Sequence, residues 1–264
     1  MCLILFSYQQ NPRYPLIVAA NRDEFYERPT APAHFWEDSP SVLAGRDLKA
    51  GGTWLGVTRS GRFAALTNYR EPGHNRPDAV SRGDLVADFL AGSDTPDAYA
   101  HQVHARGERF NGFNLLVADV NELWYVSNRG GRPHALSPGL YGLSNHLLNT
   151  PWPKVERGKV WLADATRSPL IAPEPIFRQL ADTSEAPDED LPATGVPLEV
   201  ERMLSSTCIV SSNYGTRAST LVMFNAGGTL SFRERSFAVG ATVAGTVEYN
   251  DIIVTSESFA TTQQ

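Results

Sequence analysis

The second residue of the chain is the first candidate for chemistry. Cys2 follows Met1, and an initiator methionine is expected to be removed when a small residue follows it. Removal would leave a thiol and a free α-amine on Cys2. The amine has a reference pKa of about 7.7 to 8.0, close enough to the thiol reference of about 8.5 to accept its proton. Nucleophile and base would then share one residue, as in enzymes with an N-terminal threonine.

The same cysteine also has a purely structural interpretation. Free cysteine is often a small buried hydrophobe, and Cys2 opens an apolar run that reaches Tyr8. Position alone therefore favours a buried strand residue over a nucleophile. Polar residues elsewhere in the chain shift that balance when they are considered together with Cys2.

A charged cluster, Asn21 to Glu24, follows the second apolar run of the sequence. If the two runs form a tight hairpin, the end of the second lies beside the start of the first. Arg22 would then lower the pKa of the Cys2 thiol by charge proximity, and Asp23 or Glu24 would orient the α-amine. A solvated turn is the alternative, because charged loop residues are usually exposed.

Three further residues complete the candidate site. Asn68 and Asn145 each end a predicted strand, and an amide NH2 group can stabilise a developing oxyanion by about 3 to 4 kcal/mol. Both asparagines could instead satisfy the backbone of a local turn. Arg217 heads a later strand and would hold the nucleophile or a substrate carboxylate, unless it is a surface arginine. The candidate catalytic residues are therefore Cys2, Arg22, Asp23, Glu24, Asn68, Asn145 and Arg217.

Other site chemistries find less support in the sequence. The segment Gly51 to Gly56 lacks the Gly-Lys-Ser/Thr ending of a phosphate-binding loop, and no Gly-x-Ser-x-Gly segment marks a serine hydrolase. His101 and His104 lie three residues apart on a predicted helix, but the sequence places no third ligand with them. We therefore predict neither a metal ion nor an organic cofactor.

Composition limits the class of protein. The 264 residues are 42% hydrophobic and 20% charged, which is typical of a packed globular protein. A net charge of −6 argues against nucleic acid as the main partner. The aliphatic runs are far shorter than the roughly 20 residues of a transmembrane helix, and no secretory signal is recognisable. We expect a cytoplasmic protein whose two cysteines, Cys2 and Cys208, are thiols.

Hydrophobic periodicity and turn residues predict alternating groups of strands and helices. Strands are predicted at 2–8, 16–20, 42–44, 53–58, 63–68, 113–120, 123–127, 140–143, 207–211, 218–225, 229–237 and 242–249. Helices are predicted at 82–91, capped by Ser81, at 96–106, capped by Thr95, and at 155–166 and 175–181. Residues 28–40 and 182–197 are predicted loops. This order favours one α+β domain over residues 1–264, with two stacked, mainly antiparallel sheets between helices.

Several short segments, taken in order, resemble a known family. They are residues 1–2, 21–24, 51–56, 66–70, 81–83, 111–116, 142–145, 151–155 and 214–220. Their order resembles the Asn-Arg-Asp-Glu (NRDE) family, also called the transport and Golgi organisation protein 2 family. That family is similar to N-terminal nucleophile hydrolases, and the resemblance implies an αββα four-layer sandwich.

Among those hydrolases, the cysteine choloylglycine and penicillin V acylase group looks closest in layout. The resemblance implies that Cys2 is the nucleophile and that Asn68 and Asn145 contact the oxyanion or the amine. The two candidate arginines would be supporting charges near the thiol and the amine. Either Asp23 or Glu24 would correspond to the acid of that group.

We therefore predict an amidohydrolase-like enzyme or acyl transferase that cleaves a C–N or thioester bond of a small acyl substrate through a covalent Cys2 intermediate. Eukaryotic members of the family are linked to lipid metabolism and to acyl-CoA and haem handling. The alternative is therefore a non-catalytic binding or trafficking protein for a lipid, acyl-CoA or haem-like ligand on the same fold. A purely structural protein would instead leave the polar candidates dispersed on its surface.

Overall fold

The computed structural model describes residues 2–254. The strands in that range are β1 Cys2–Tyr8, β2 Leu16–Phe25, β3 Thr30–Phe35, β4 Val42–Asp47, β5 Leu55–Thr58, β6 Phe63–Asn68, β7 Phe113–Ala118, β8 Leu123–Ser127, β9 His134–Ala135, β10 Gly139–Leu143, β11 Tyr214–Asn225, β12 Thr229–Phe237 and β13 Val243–Ile253. The helices are α1 Gly83–Ala91, α2 Pro96–Ala105, α3 Pro153–Thr166, α4 Pro173–Leu180 and α5 Leu198–Ser205.

The strands form two sheets in which all paired neighbours are antiparallel. The first sheet has the order β10-β1-β2-β11-β12-β13, and the second has the order β3-β4-β5-β6-β7-β8-β9. Most of the second sheet is a meander, because consecutive strands are joined by short turns. The first sheet instead brings together strands from both ends of the described chain, so that β2 lies between β1 and β11.

Side-chain alternation along the strands builds the layers. On β1, Ile4 and Phe6 belong to an apolar cluster shared by the two sheets. Leu3 and Leu5 point to the other face and pack in a cluster with residues of α3 and α4. The outer face of the second sheet packs in the same way on α1 and α2. The predicted αββα sandwich of two antiparallel sheets is confirmed.

Close packing holds α3 against β1. A Cβ atom built on Gly158 would lie 2.5 Å from Cδ1 of Leu5, so only glycine lets the helix approach the strand this closely. This contact holds α3, the helix that carries Lys154, close against β1.

One predicted loop is wrong because proline was taken as a strand breaker. Residues 28–40 contain β3, an edge strand of the second sheet with a register shift between Ala31 and His34. Pro32 lies within that irregularity. An edge strand with a bulge tolerates a residue that cannot donate a backbone hydrogen bond.

The segment before β11 also differs from the prediction. Residues 207–211 do not form a ladder strand, and only Val210 makes an isolated bridge, to Gly215, within the described part of the chain. The backbone N–H of Cys208 donates instead to the carbonyl of Asp182 at 2.8 Å. Helix α5, which the sequence did not predict, precedes this segment.

Helix caps were predicted with mixed success. The hydroxyl of Thr95 accepts a hydrogen bond from the backbone of Ala98 at 3.3 Å, so this cap of α2 is confirmed. Ser81 does not cap α1, which begins at Gly83 and has no side-chain hydrogen bond at its N-cap residue, Arg82. Over residues 2–254, none of the helices combines the length and apolar character needed to cross a membrane.

Candidate active site

The first two strands place Cys2 directly opposite Arg22. The antiparallel register pairs these two residues, as the predicted hairpin requires. Cys2 is only 7% exposed, and its carbonyl accepts a hydrogen bond from the hydroxyl of Ser144 at 3.1 Å. Cys2 and Arg22 share the face of the first sheet that meets the second sheet, because they are in phase with Ile4 on β1 and Ala20 on β2.

The cluster from Asn21 to Glu24 is part of a strand rather than a solvated turn, since β2 continues to Phe25. Asn21 points away from the second sheet, and its amide donates to the carbonyls of Leu180 and Thr207 at 2.8 Å each. This asparagine therefore ties the centre of the sheet to two segments on the helical side. The solvated-turn alternative is wrong because three of the four residues are buried.

Asp23 is a buried acid on the same face of β2 as Asn21. Its Oδ1 accepts a hydrogen bond from the hydroxyl of Thr216 at 2.7 Å. Burial raises the pKa of the Asp23 carboxyl, although Lys154, the hydroxyl of Thr216 and Arg22 oppose that shift. Asp23 therefore interacts electrostatically with the cation of α3, Lys154, and with its neighbour Arg22.

Lys154 is the cation behind this acid. It is 1% exposed, and within residues 2–254 its Nζ has no hydrogen-bond partner. Burial lowers the pKa of its ammonium to about 8, while Asp23 and Cys2 favour the charged form. An amine with such a pKa changes charge close to neutral pH.

Arg217 enters the site through a β-bulge. The register of β11 against β2 shifts between Thr216 and Ala218, so Arg217 is the extra residue. Its Nη1 donates to the carbonyls of Phe25, Tyr26 and Arg28 at 2.9, 3.1 and 3.3 Å. The side chain thereby fixes the connection between β2 and β3.

The two asparagines have different surroundings. Asn145 is fully buried, and its amide donates to the backbone carbonyl of Asn68 at 2.8 Å. Asn68 ends β6, and its side chain makes no hydrogen bond to any of the described residues. Asn145 therefore holds the backbone of Asn68, whose own amide group is available to a ligand.

An open cleft of about 620 Å³ lies where the two sheets separate. Six of the seven candidate residues line it: Cys2, Arg22, Asp23, Glu24, Asn68 and Arg217. Asn145 lies behind the wall. Six residues predicted from the sequence, on strands of both sheets, therefore line one cavity in the fold.

The protonation of Cys2 differs from the expectation. Burial raises the pKa of its thiol, and the carboxylate of Asp23 adds to this shift. Arg22 and the backbone N–H of Asp23 act in the opposite direction but do not outweigh burial. Arg22 thus lowers the pKa of the Cys2 thiol, as predicted, yet burial outweighs it and the thiol form is favoured at neutral pH.

Sequence reasoning missed three polar residues around the cleft: Arg82, Lys154 and Glu234. For two of them, Lys154 and Glu234, the spacing of apolar residues in the sequence indicates a buried position. Lys154 lies four and eight residues before Gly158 and Leu162, which places it on the buried face of α3. Glu234 is in phase with Phe232 on β12, and the backbone of Ala33 donates to its Oε1 at 2.8 Å.

A second missed feature is a buried ion pair next to Asn68. Arg70 Nη1 lies 2.8 Å from Oε2 of Glu201, and the two side chains are 6% and 4% exposed. This pair connects the chain after β6 to α5.

Within the described range, His, Cys, Asp and Glu residues form no group of three or more that could hold a metal ion.

Comparison with known proteins agrees with the motif order. The chain is 42% identical over 258 residues to the Transport and Golgi organization protein 2 homolog of Bos taurus, which covers 89% of this chain and 93% of that protein. It is 38% identical over 257 residues to the Transport and Golgi organization 2 homolog of Mus musculus, with the same two coverages.

Among solved structures, a mutant of the conjugated bile acid hydrolase from Clostridium perfringens matches with a TM-score of 0.45 at 10% identity, covering 95% of this chain and 92% of that chain. The family described as Transport and Golgi organisation 2 matches residues 1–239. The chain therefore belongs to the Transport and Golgi organisation 2 family.

Proposed function

We propose that this protein is an N-terminal cysteine hydrolase or acyl transferase that cleaves an acyl amide or thioester through a covalent intermediate on Cys2. The observation that carries the proposal is the shared cleft. Cys2 and Arg22 face it from the first sheet, and Asn68 faces it from the second. A nucleophile, a cation and an amide donor converge there from three separate strands.

Cleavage of the Met1–Cys2 peptide bond is the first requirement, because it frees the α-amine of Cys2. Met1 lies outside the described residues. Burial disfavours a free thiolate at Cys2, so the thiol needs a base in contact with it. The α-amine supplies that base from the same residue, and Asp23, with its buried carboxylate, orients the resulting ammonium.

In the first half of the reaction, the α-amine takes the thiol proton as the sulfur attacks the substrate carbonyl carbon. The carbonyl electrons move to oxygen, and the amide of Asn68 donates a hydrogen bond to the oxyanion. Collapse breaks the C–N or C–S bond, and the α-ammonium returns its proton to the leaving group. The acyl group remains on Cys2 as a thioester.

In the second half, water or another acceptor attacks the thioester while the α-amine removes its proton. The tetrahedral intermediate forms and collapses at the same oxyanion position. The sulfur leaves and recovers the proton, which regenerates Cys2. Asn145 acts as a positioning residue here, because it holds the backbone carbonyl of Asn68 rather than the substrate.

The test compares wild type with Cys2→Ala and Cys2→Ser on acyl amides and acyl-CoA thioesters. We expect product formation to fall at least about 1000-fold in Cys2→Ala, with an acyl adduct on Cys2 visible by intact mass in wild type only. Cys208→Ala is the matched control, because it removes the other buried free cysteine. Full activity in Cys2→Ala contradicts the proposal, and so does an intact mass that retains Met1 in active protein.

A ligand-binding protein for a lipid, acyl-CoA or haem-like molecule is the second candidate. One observation favours it: burial keeps the Cys2 thiol protonated rather than activated. Such a protein would bind its ligand equally well as wild type and as Cys2→Ala, and neither form would release product. Isothermal titration of both forms with each ligand, alongside the product assay, separates the two candidates.

A further inference from the structure

Arginine is the most frequent charged residue in the lining of the cleft. Six arginines line it: Arg22, Arg28, Arg46, Arg76, Arg82 and Arg217. Three of these are within 4.0 Å of a carboxylate, namely Arg22 at Glu24, Arg28 at Asp47 and Arg46 at Asp38. The other three, Arg76, Arg82 and Arg217, make no ion pair with any residue in the described range.

The acids of the cleft do not balance these cations. Glu24 and Asp47 are already within ion-pair distance of arginine. Asp23 and Glu234 are the other two acids in the lining, so four acids stand against six arginines even when every acid is charged. The cleft is therefore electropositive, although the whole chain carries a net charge of −6.

Of the three arginines without an ion pair, Arg82 combines partial burial with a single side-chain hydrogen bond to the described residues. Arg76 is exposed, and Arg217 donates to three carbonyls, whereas Arg82 is half-buried and donates from Nη1 to the carbonyl of Gly112 at 3.0 Å. Burial lowers the pKa of the Arg82 guanidinium, and the thiolate of Cys2 is the charge that most opposes this shift. Arg82 and Cys2 line the same cleft.

The backbone around Arg82 is tightly fixed. A Cβ atom built on Gly52 would lie 2.6 Å from the carbonyl carbon of Gly83, so two glycine-containing segments pack in direct contact. This contact holds the start of α1, and hence Arg82, at the wall opposite the first sheet. The hydrogen bond from Nη1 to the carbonyl of Gly112 restrains the guanidinium itself, and a restrained guanidinium loses less entropy when it binds a ligand.

We infer that Arg82 recognises an anionic group, a carboxylate or a phosphate, on the substrate that reaches Cys2. The inference rests on the proposed function in taking this cleft as the substrate site. A guanidinium binds both anions through paired N–H donors. The acyl substrate is therefore an anion rather than a neutral amide or ester.

The charge preference of the cleft is measured by alkylating Cys2 with iodoacetate and with iodoacetamide at constant ionic strength. The two reagents are similar in size and differ in charge, and the ratio of their rate constants cancels any change in the thiolate fraction. Mass spectrometry of peptides separates Cys2 from Cys208. We expect Arg82→Gln to lower the iodoacetate to iodoacetamide ratio about fivefold, because one nearby cation is lost.

Two further variants control this measurement. Arg82→Lys keeps the charge and should keep most of the ratio, whereas Arg132→Gln removes an exposed arginine outside the cleft and should leave the ratio unchanged. An unchanged ratio in Arg82→Gln, or an equal fall in Arg132→Gln, overturns the inference. Turnover is not needed for alkylation, so this result is independent of the product assay with Cys2→Ala.

The identity of the anion is resolved by protection. Inorganic phosphate and acetate are each tested for slowing the reaction of Cys2 with iodoacetamide, against chloride at the same ionic strength. Protection by phosphate that is lost in Arg82→Gln indicates a phosphate-bearing substrate, and the same result with acetate indicates a carboxylate. Protection by neither anion counts against an anion site at Arg82.

Discussion

Two rows of side chains cross the same four strands and behave differently. Each row lies on the face of the first sheet that meets the second sheet, and the register joins its members directly across β1, β2, β11 and β12. The interior row is Phe6, Val18, Val222 and Phe232. The cleft row is Cys2, Arg22, Ala218 and Ser236.

The rows are four residues apart along each strand, about 13 Å at the rise of an antiparallel strand. All four interior residues are fully buried against the second sheet, while the cleft row borders open space. Backbone pairing is continuous through both rows. The difference is that the second sheet covers the interior row, whereas the cleft row lines the cavity. The same four strands therefore stabilise the fold at the interior row and form part of the candidate site at the cleft row.

The largest expected effect separates the two rows on β12. Phe232→Ala removes a fully buried ring and should destabilise the protein by about 3 to 5 kcal/mol. Ser236→Ala, four residues along the same strand, should change the free energy of unfolding by less than about 0.5 kcal/mol. Urea unfolding of both variants measures this difference. Equal losses would show that the cleft row is as important to packing as the interior row.

The next prediction concerns the charge behind the cleft row. The pKa of Lys154 is about 8 in the folded protein and about 10.4 in an unfolded chain. Between those pH values the unfolded state binds more protons, so the contribution of Lys154 to stability rises with pH, by about 3 kcal/mol in total. Asp23, Arg70, Cys2 and Arg157 are the charged groups that act on it.

Lys154→Met should remove this pH dependence. Measured by urea unfolding at pH 7.5, 9 and 10, the stability of wild type relative to Lys154→Met should increase with pH. Lys159→Met is the control on the same helix, because Lys159 is more exposed and pairs with Glu156 at 2.7 Å. Parallel pH curves for wild type and Lys154→Met would mean that Lys154 remains fully charged in the fold.

A smaller effect distinguishes the two asparagines. Asn145→Ala removes a fully buried amide and leaves the half-buried carbonyl of Asn68 without this donor, which should cost about 1 to 3 kcal/mol of stability. Asn68→Ala should cost less than about 1 kcal/mol, yet lower product formation about 100-fold if its amide binds the oxyanion. Thermal unfolding and rate measurements on both variants test this. An Asn145→Ala variant with wild-type stability and wild-type product formation would exclude its positioning role.

The sequence predicted those elements whose signals are local. β1, β6 and β12 have the predicted bounds because their apolar runs end at turn residues. β3 and α5 were missed because their surroundings override the sequence signals. Pro32 is accepted at a bulged sheet edge, and the polar helix α5 is tied to the core by the buried pair of Arg70 and Glu201.

The candidate site shows the same division. Cys2 and Arg22 could be paired from the sequence because a short hairpin sets their register. Arg82 and Glu234 could not be placed with them, because Arg82 precedes α1, Glu234 lies on β12, and no local sequence signal shows that these segments meet β1 and β2 at the cleft. Arg233 and Arg235 flank Glu234, and three consecutive charged residues are typical of a solvent-exposed strand.

The sequence by itself determined the residue types, the strand periodicity and the hairpin that brings Cys2 to Arg22, because each depends on neighbours within a few residues. Only the tertiary structure decided the protonation of Cys2, Asp23 and Lys154 and the opening of the cleft. Burial and Coulomb interactions depend on groups that are distant along the chain and meet only after the sheets have stacked.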